Sequence, residues 1–251
     1  MSAGRYSTAV EAPVRQAERD AAATVLIGVL VACVAAAVPA LAYAAPTEPV
    51  VLAVVLGSLP AVLSSAAVLR RRPLESTVAD RVTLVRAVLV SGCAAVTVLV
   101  LAGAMPARTW WLLLFTVPAL LLDAADGMVA RGTGTASEAG ARLDYQLDSG
   151  TLVVLSLAVV PTLGYWVVLI GALRYLFVAV SWVRPAWRQV LPPTSFRRFV
   201  AGLQGAVLAV AVAPVVPLGL AAAGVLVALA LLLVSFGGAI VTLETWSRPG
   251  R

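Results

Sequence analysis

Long apolar runs separated by short polar segments make up most of the chain from residue 23 onward. A helix needs about 20 mostly apolar residues to cross a bilayer, and most of these runs reach that length. The pattern therefore predicts an all-α fold, a polytopic membrane helix bundle of eight spans. The predicted spans cover residues 23–45, 50–69, 82–104, 109–130, 143–161, 163–183, 199–214 and 217–243.

The polar segments divide this pattern into three parts. Residues 1–22 are polar and mixed in charge, which predicts a cytoplasmic tail. Residues 23–69 are predicted to form an N-terminal transmembrane hairpin, and an arginine-rich segment that begins at residue 70 follows it. Residues 70–251 contain the other six spans and are predicted to form the functional core.

Composition narrows both the class of protein and its chemistry. Of the 251 residues, 61% are hydrophobic and 12% are charged, and these values exclude an ordinary soluble domain. Histidine is absent and all 18 basic residues are arginine, so His bases, His metal ligands and Lys nucleophiles are excluded. We expect no nucleic-acid partner, because no soluble basic domain carries the net charge of +6.

The arginines between the spans predict the orientation of the bundle. They concentrate near both ends of the chain and in alternate connecting segments, whereas the other connections hold only Arg108. Basic residues favour the cytoplasmic side of a membrane. We therefore expect an integral protein of a bacterial-type cytoplasmic membrane, with both ends of the chain on the cytoplasmic side. The same side is expected for the acidic cluster of Asp123, Asp126, Asp144 and Asp148.

Four carboxylates occupy the facing ends of the fourth and fifth predicted spans. Asp123 and Asp126 are three residues apart, and Asp144 and Asp148 are four apart, so each pair shares one helix face. The short connection between the spans makes them antiparallel neighbours. Charge at bilayer depth is costly, and an all-oxygen cluster suits Mg²⁺ or Mn²⁺. Two alternatives remain open. The protein is a divalent-cation transporter that uses these carboxylates, or the acids only cap helices or reach water.

The full string around these acids, D-x2-D-G-x2-A-R-x8-G-x3-D-x3-D, resembles the signature of the class I CDP-alcohol phosphatidyltransferase family. Residues 80–86 resemble the family's opening N-x-(I/L)-T-x-x-R segment, with Asp80 where asparagine is common. The alternative for this segment is a helix start at which its threonine and last arginine are solvated. The resemblance covers about residues 75–245. The eight matching positions of the longer string are Asp123, Asp126, Gly127, Ala130, Arg131, Gly140, Asp144 and Asp148.

The resemblance implies a membrane transferase of phospholipid biosynthesis, in contact with membrane lipid. It would move a phosphatidyl group from CDP-diacylglycerol to a small polar alcohol and release CMP. Asp123, Asp126, Asp144 and Asp148 would form two sites for Mg²⁺ or Mn²⁺, and Asp148 would also be the general base. A homodimer is implied as well. The residues implied in CDP binding are Thr83, Arg86, Asp126, Gly127, Ala130, Arg131 and Gly140.

Four further arginines are candidates for binding the acceptor alcohol. Arg174 lies within a span, where it either binds a phosphate or pairs with one of the acids. Arg197 and Arg198 stand at the start of the seventh predicted span, and Arg142 stands close to Gly140. If these side chains form an anion pocket, the acceptor is phosphorylated, as glycerol 3-phosphate and inositol phosphate are. The family also contains enzymes for serine and for neutral or cationic alcohols, so the sequence leaves the acceptor open.

Overall fold

The structure is a computed structural model of the 251-residue chain. It describes the backbone of residues 3–70, 78–133, 138–184, 187, 189 and 194–246. It describes the side chains of residues 14–70, 80–124, 140–184, 187, 189 and 194–246.

Helices make up almost all of the described chain, and no strand occurs in it. A 3₁₀ turn, Tyr165–Val167, leads into α7. The helices are α1 (Ala3–Tyr43), α2 (Thr47–Gly57), α3 (Leu59–Leu69), α4 (Val78–Leu101), α5 (Trp110–Thr133), α6 (Glu138–Leu163), α7 (Val168–Val183), α8 (Ser195–Val212) and α9 (Leu218–Trp246).

The predicted all-α membrane bundle is confirmed. Within the described residues, seven segments are long and apolar enough to cross a membrane, and α2 and α3 together form one of them, Thr47–Leu69. The remaining predicted span is the fourth, residues 109–130, and it corresponds to α5, whose shorter apolar part is Trp110–Ala124. Helix α1 begins at Ala3, so the segment assigned to a polar tail is a helical extension of the first span. Residues 14–27, which connect this segment to the first span, contain several alanines and no glycine or proline, and this composition favours the continuation.

The N-terminal hairpin packs on α4 through small side chains. A Cβ atom on Gly57 would stand 2.8 Å from the Cα of Ala95, so only glycine permits this approach of α2 to α4. Close approach through small residues is the usual way in which membrane helices associate. An ion pair of 2.9 Å between Arg81 of α4 and Asp20 of α1 joins the same two units. Helix α4 is consequently the most buried of the spans.

At the opposite end of the bundle, Arg108 donates hydrogen bonds to carbonyl groups that follow the end of α8. Its guanidinium donates to the backbone oxygens of Ala213 and Val216 in the turn between α8 and α9. The last carbonyls of a helix have no partner within the helix, and a basic side chain near them is stabilising. This contact explains why an arginine occurs in a connection that is otherwise free of them.

Replacing Arg108 by glutamine should lower the stability of the folded protein. The variant loses two hydrogen bonds from a charged donor, and each is worth about 1.5–3 kcal/mol in a buried setting. We expect the thermal midpoint in detergent to fall by about 5 °C or more. Arg184→Gln is the matched control, because Arg184 lies exposed at the end of α7. Equal midpoints for the two variants would contradict the capping role of Arg108.

Candidate active site

Arg86 of α4 lies at the centre of an acidic cluster formed by α5 and α6. Its side chain is 2% exposed, and it forms ion pairs with Asp123 of α5 and with Asp144 and Asp148 of α6. The distance from Arg86 Nη2 to Asp148 Oδ1 is 2.8 Å. One guanidinium therefore bridges α5 and α6 from α4, which packs against both of them.

The three carboxylates remain open on the side away from Arg86. Their side chains are 38–41% exposed, in contrast to the buried arginine. One oxygen of each lies within 4.8 Å of one oxygen of the others. Such a set of carboxylate oxygens fits a hard divalent cation such as Mg²⁺ or Mn²⁺. The predicted meeting of acids from two neighbouring helices is therefore present for Asp123, Asp144 and Asp148.

Several predicted residues lie outside the described side chains. Asp126, Gly127, Ala130 and Arg131 belong to the last turns of α5, of which only the backbone is described. Gly140 lies in the first turn of α6 and is half-buried.

The first turns of α4 carry the shorter motif on a buried face. Asp80, Thr83 and Arg86 are three residues apart and are 1%, 4% and 2% exposed. This burial excludes the alternative of a helix start whose threonine and arginine are solvated. The family resemblance implies Arg86 in CDP binding, and in the structure Arg86 forms ion pairs with the three carboxylates. The ion-pair partners of Arg86 could not be predicted from the sequence, because they depend on how α4 packs against α5 and α6.

A cavity of about 600 Å³ adjoins the acidic cluster. Asp123, Asp148 and Arg86 form part of its wall, and helices α7, α8 and α9 complete it. The volume falls in the range of pockets that hold small-molecule ligands. Three of the four arginines assigned to the acceptor line the same cavity, namely Arg174, Arg197 and Arg198.

Arg142 is not among the described residues that line this cavity. Its side chain is exposed. Arg142 precedes Asp144 by two residues, and side chains two apart on a helix point to nearly opposite sides. Helix geometry therefore turns Arg142 away from the acid beside it.

Arg174 has a different partner from those considered for it in the sequence. Its guanidinium carbon lies 3.2 Å from the centre of the Tyr145 ring, and one N–H donates to the Tyr145 backbone oxygen. Tyr145 lines the cavity and directly follows Asp144, yet no local pattern in the sequence marks it. A ring contact between residues 29 positions apart arises only when α6 and α7 pack together.

Aromatic side chains that the sequence reading did not single out form another part of the wall. Phe177 and Phe236 line the cavity, and their ring centres are 5.7 Å apart. Trp187 stacks on Phe177 at 5.0 Å and donates a hydrogen bond of 2.8 Å to Glu244. This contact ties the segment after α7 to α9 beside the cavity.

Comparison with known protein families decides the class of this protein. The family model described as CDP-alcohol phosphatidyltransferase matches residues 76–236. The chain belongs to this family. No individual curated protein and no solved structure matches the chain significantly. The matched range lies within the range of about residues 75–245 over which the chain resembles the family, and it leaves out the hairpin formed by α1, α2 and α3.

Membership of the family assigns the chain to phosphatidyl transfer from a CDP-alcohol in phospholipid synthesis. It favours the transferase over the cation-transporter alternative.

Proposed function

We propose that this protein transfers the phosphatidyl group of CDP-diacylglycerol to a phosphorylated polar alcohol and releases CMP. The observation that carries the proposal is one cavity lined both by carboxylates, Asp123 and Asp148, and, besides Arg86, by the three arginines assigned to the acceptor. The carboxylates suit a metal-assisted transfer, and the arginines suit an anionic acceptor.

On the acidic side, Asp148 is the proposed general base. It accepts the proton of the acceptor hydroxyl, whose oxygen forms a bond to the lipid-side phosphorus of the donor. The bond from that phosphorus to the CMP oxygen breaks, and CMP leaves. Divalent cations held by Asp123, Asp126, Asp144 and Asp148 would neutralise charge on the diphosphate. With histidine and lysine absent, a carboxylate is the main candidate for the base.

On the donor side, Arg86 positions the acids. Its ion pairs fix one oxygen of Asp123, Asp144 and Asp148 each, and Asp123 and Asp148 line the cavity. We keep Thr83, Arg86, Asp126, Gly127, Ala130, Arg131 and Gly140 as the proposed contacts of the CDP group.

On the acceptor side, the start of α8 adds to the arginines. Thr194 caps this helix by accepting a hydrogen bond of 3.3 Å from the Arg197 backbone N–H, and it lines the cavity with Arg197 and Arg198. The N-terminal end of a helix carries partial positive charge. Together with Arg174, this charge supports a phosphate on the acceptor, as in glycerol 3-phosphate or an inositol phosphate.

The orientation and assembly of the protein also remain proposals. We place the acidic cluster and both ends of the chain on the cytoplasmic side, which the arginine distribution supports. A homodimer is proposed from the family resemblance alone.

The proposal is tested with purified protein, Mg²⁺ or Mn²⁺, and radiolabelled CDP-diacylglycerol. We expect CMP release with glycerol 3-phosphate or an inositol phosphate, little release with serine, glycerol or inositol, and loss of release in EDTA. Release that requires an unphosphorylated alcohol would contradict the proposed acceptor. Absence of release with every acceptor would contradict the proposed donor.

Replacing Arg174 by glutamine should raise KM for the phosphorylated acceptor by about 10- to 100-fold, because a hydrogen bond to a charged group is worth about 1.5–3 kcal/mol. We expect KM for CDP-diacylglycerol to change by less than about twofold. Arg142→Gln is the comparison, because Arg142 lies outside the described cavity wall and should leave both constants unchanged. An equal rise of both KM values in Arg174→Gln would contradict an acceptor-specific role.

A further inference from the structure

Tyr145 supports the guanidinium group of Arg174 in two ways. The ring lies 3.2 Å from the guanidinium carbon, and the backbone oxygen accepts a hydrogen bond from one of its N–H groups. Ser149 also donates its hydroxyl to this oxygen, at 2.9 Å. The arginine is therefore held both by a ring face and by a carbonyl of the same residue.

These contacts restrict how Arg174 can move. A guanidinium beside an aromatic face is attracted by the ring, by about 0.5–1 kcal/mol at exposed sites and about 2 kcal/mol when desolvated. A free arginine side chain carries about 2 kcal/mol of rotamer entropy, part of which is lost whenever it binds a ligand. Because Tyr145 already orders the Arg174 side chain, less rotamer entropy is lost when a ligand binds. One N–H is used on the carbonyl, and a guanidinium has five donors in all.

The position of Tyr145 connects the arginine to the reacting groups. Tyr145 follows Asp144 directly and precedes Asp148 by three residues, so it lies on the same turn of α6 as the proposed base. Tyr145, Asp148 and Arg174 all line the cavity. The separation between the base and the arginine is thus set by one helical turn and one ring contact.

We propose that Tyr145 is a positioning residue that fixes Arg174 as the clamp for the phosphate of the acceptor. This inference rests on the proposed function, because it assigns a phosphorylated acceptor to the arginine side of the cavity. The ring face supplies the attraction, so phenylalanine can replace tyrosine and an aliphatic residue cannot.

The test compares Tyr145→Leu with Tyr145→Phe, with Tyr165→Leu as the control. Tyr165 is 85% exposed at the opposite end of the bundle. We expect Tyr145→Leu to raise acceptor KM by about 5- to 30-fold while kcat and donor KM change by less than about twofold. Tyr145→Phe should retain most of the acceptor affinity. In the Arg174→Gln background, Tyr145→Leu should add little, because the group that it positions is already absent.

A binding measurement separates this inference from the proposed function. Inorganic phosphate should raise the thermal midpoint of the wild-type protein, and Tyr145→Leu should need about 5- to 30-fold more phosphate for the same rise. If Tyr145→Leu weakened phosphate binding but the wild-type protein transferred to no phosphorylated alcohol, the proposed acceptor would be overturned. The positioning role of Tyr145 would then remain intact. Unchanged phosphate binding and acceptor KM in Tyr145→Leu, or additive effects of Tyr145→Leu and Arg174→Gln, would overturn the positioning role.

Discussion

Asp148→Asn should lower kcat for CMP release by about 10²- to 10⁴-fold, the range that a general base contributes. Asparagine matches the size of aspartate but cannot accept the proton of the acceptor hydroxyl. The variant should fold and still bind CDP-diacylglycerol, because Asp123 and Asp144 keep their ion pairs with Arg86. The measurements are CMP release at saturating substrates and equilibrium binding of the radiolabelled donor.

Asp20→Asn is the matched control for this substitution. Asp20 is also paired with an arginine, Arg81, at 2.9 Å, but it belongs to α1 and lies outside the acidic cluster. The same chemical change at Asp20 should keep kcat within about twofold of the wild-type value. The fold should tolerate it, because a partly exposed ion pair contributes only about 0–1 kcal/mol to stability. Turnover by Asp148→Asn at the wild-type rate would remove Asp148 as the base. Loss of donor binding together with turnover would assign it to substrate binding instead.

The fold was predictable from the sequence because two simple patterns agree. Bilayer thickness requires apolar runs of about 20 residues, and the alternation of arginine-rich and arginine-poor connections assigns successive runs opposite directions. The main difference lies in α1, which begins at Ala3. Hydropathy marks where a helix leaves the apolar layer, and it does not mark where the helix itself ends.

The meeting of the acids was also predictable, because it needs only local geometry. Asp144 and Asp148 share a face through helical spacing, and the short connection from α5 folds their helix back toward Asp123. The same rule applied to Arg142 would have turned it away from Asp144, since the two residues are two positions apart. Helical spacing alone therefore separates Arg142 from the face that carries the acids.

The contacts of the buried and stacked arginines could not be predicted in this way. Arg86 reaches three acids that follow it by 37, 58 and 62 positions, and Arg174 reaches a ring 29 positions before it. Such contacts depend on the rotation of each helix about its axis, which is set by packing. For α7 this packing includes Gly171, where a Cβ would stand 2.6 Å from the Cα of Val153 in α6.

Without Arg86, we expect the stability of the protein to depend on bound divalent metal. Arg86 places one positive charge among three carboxylates, and it is the buried member of the group. Without it, like charges face one another across α5 and α6 with no counter-ion from α4. Removing one partner of a buried ion pair costs about 3–5 kcal/mol, and the lower value applies here because the acids are partly exposed.

Arg86→Gln should therefore lower the thermal midpoint in EDTA by about 5–10 °C relative to the wild-type protein. Mn²⁺ should recover most of this loss, because a cation bound by the same carboxylates replaces the missing positive charge. The measurement is the thermal midpoint in detergent with EDTA and across a Mn²⁺ titration. Since it requires no substrate, it is independent of any role of Arg86 in donor binding.

Two comparisons make the result specific to the charge of Arg86. Arg86→Lys keeps the positive charge but cannot bridge the acids with a planar fork, so its midpoint in EDTA should fall between the other two. Asp20→Asn removes a charge from an ion pair outside the acidic cluster and should show the wild-type response to Mn²⁺. If Arg86→Gln matched the wild-type midpoint in EDTA, Arg86 would not be the counter-ion of the acids. If Mn²⁺ stabilised both proteins equally, bound metal would not replace the positive charge of Arg86.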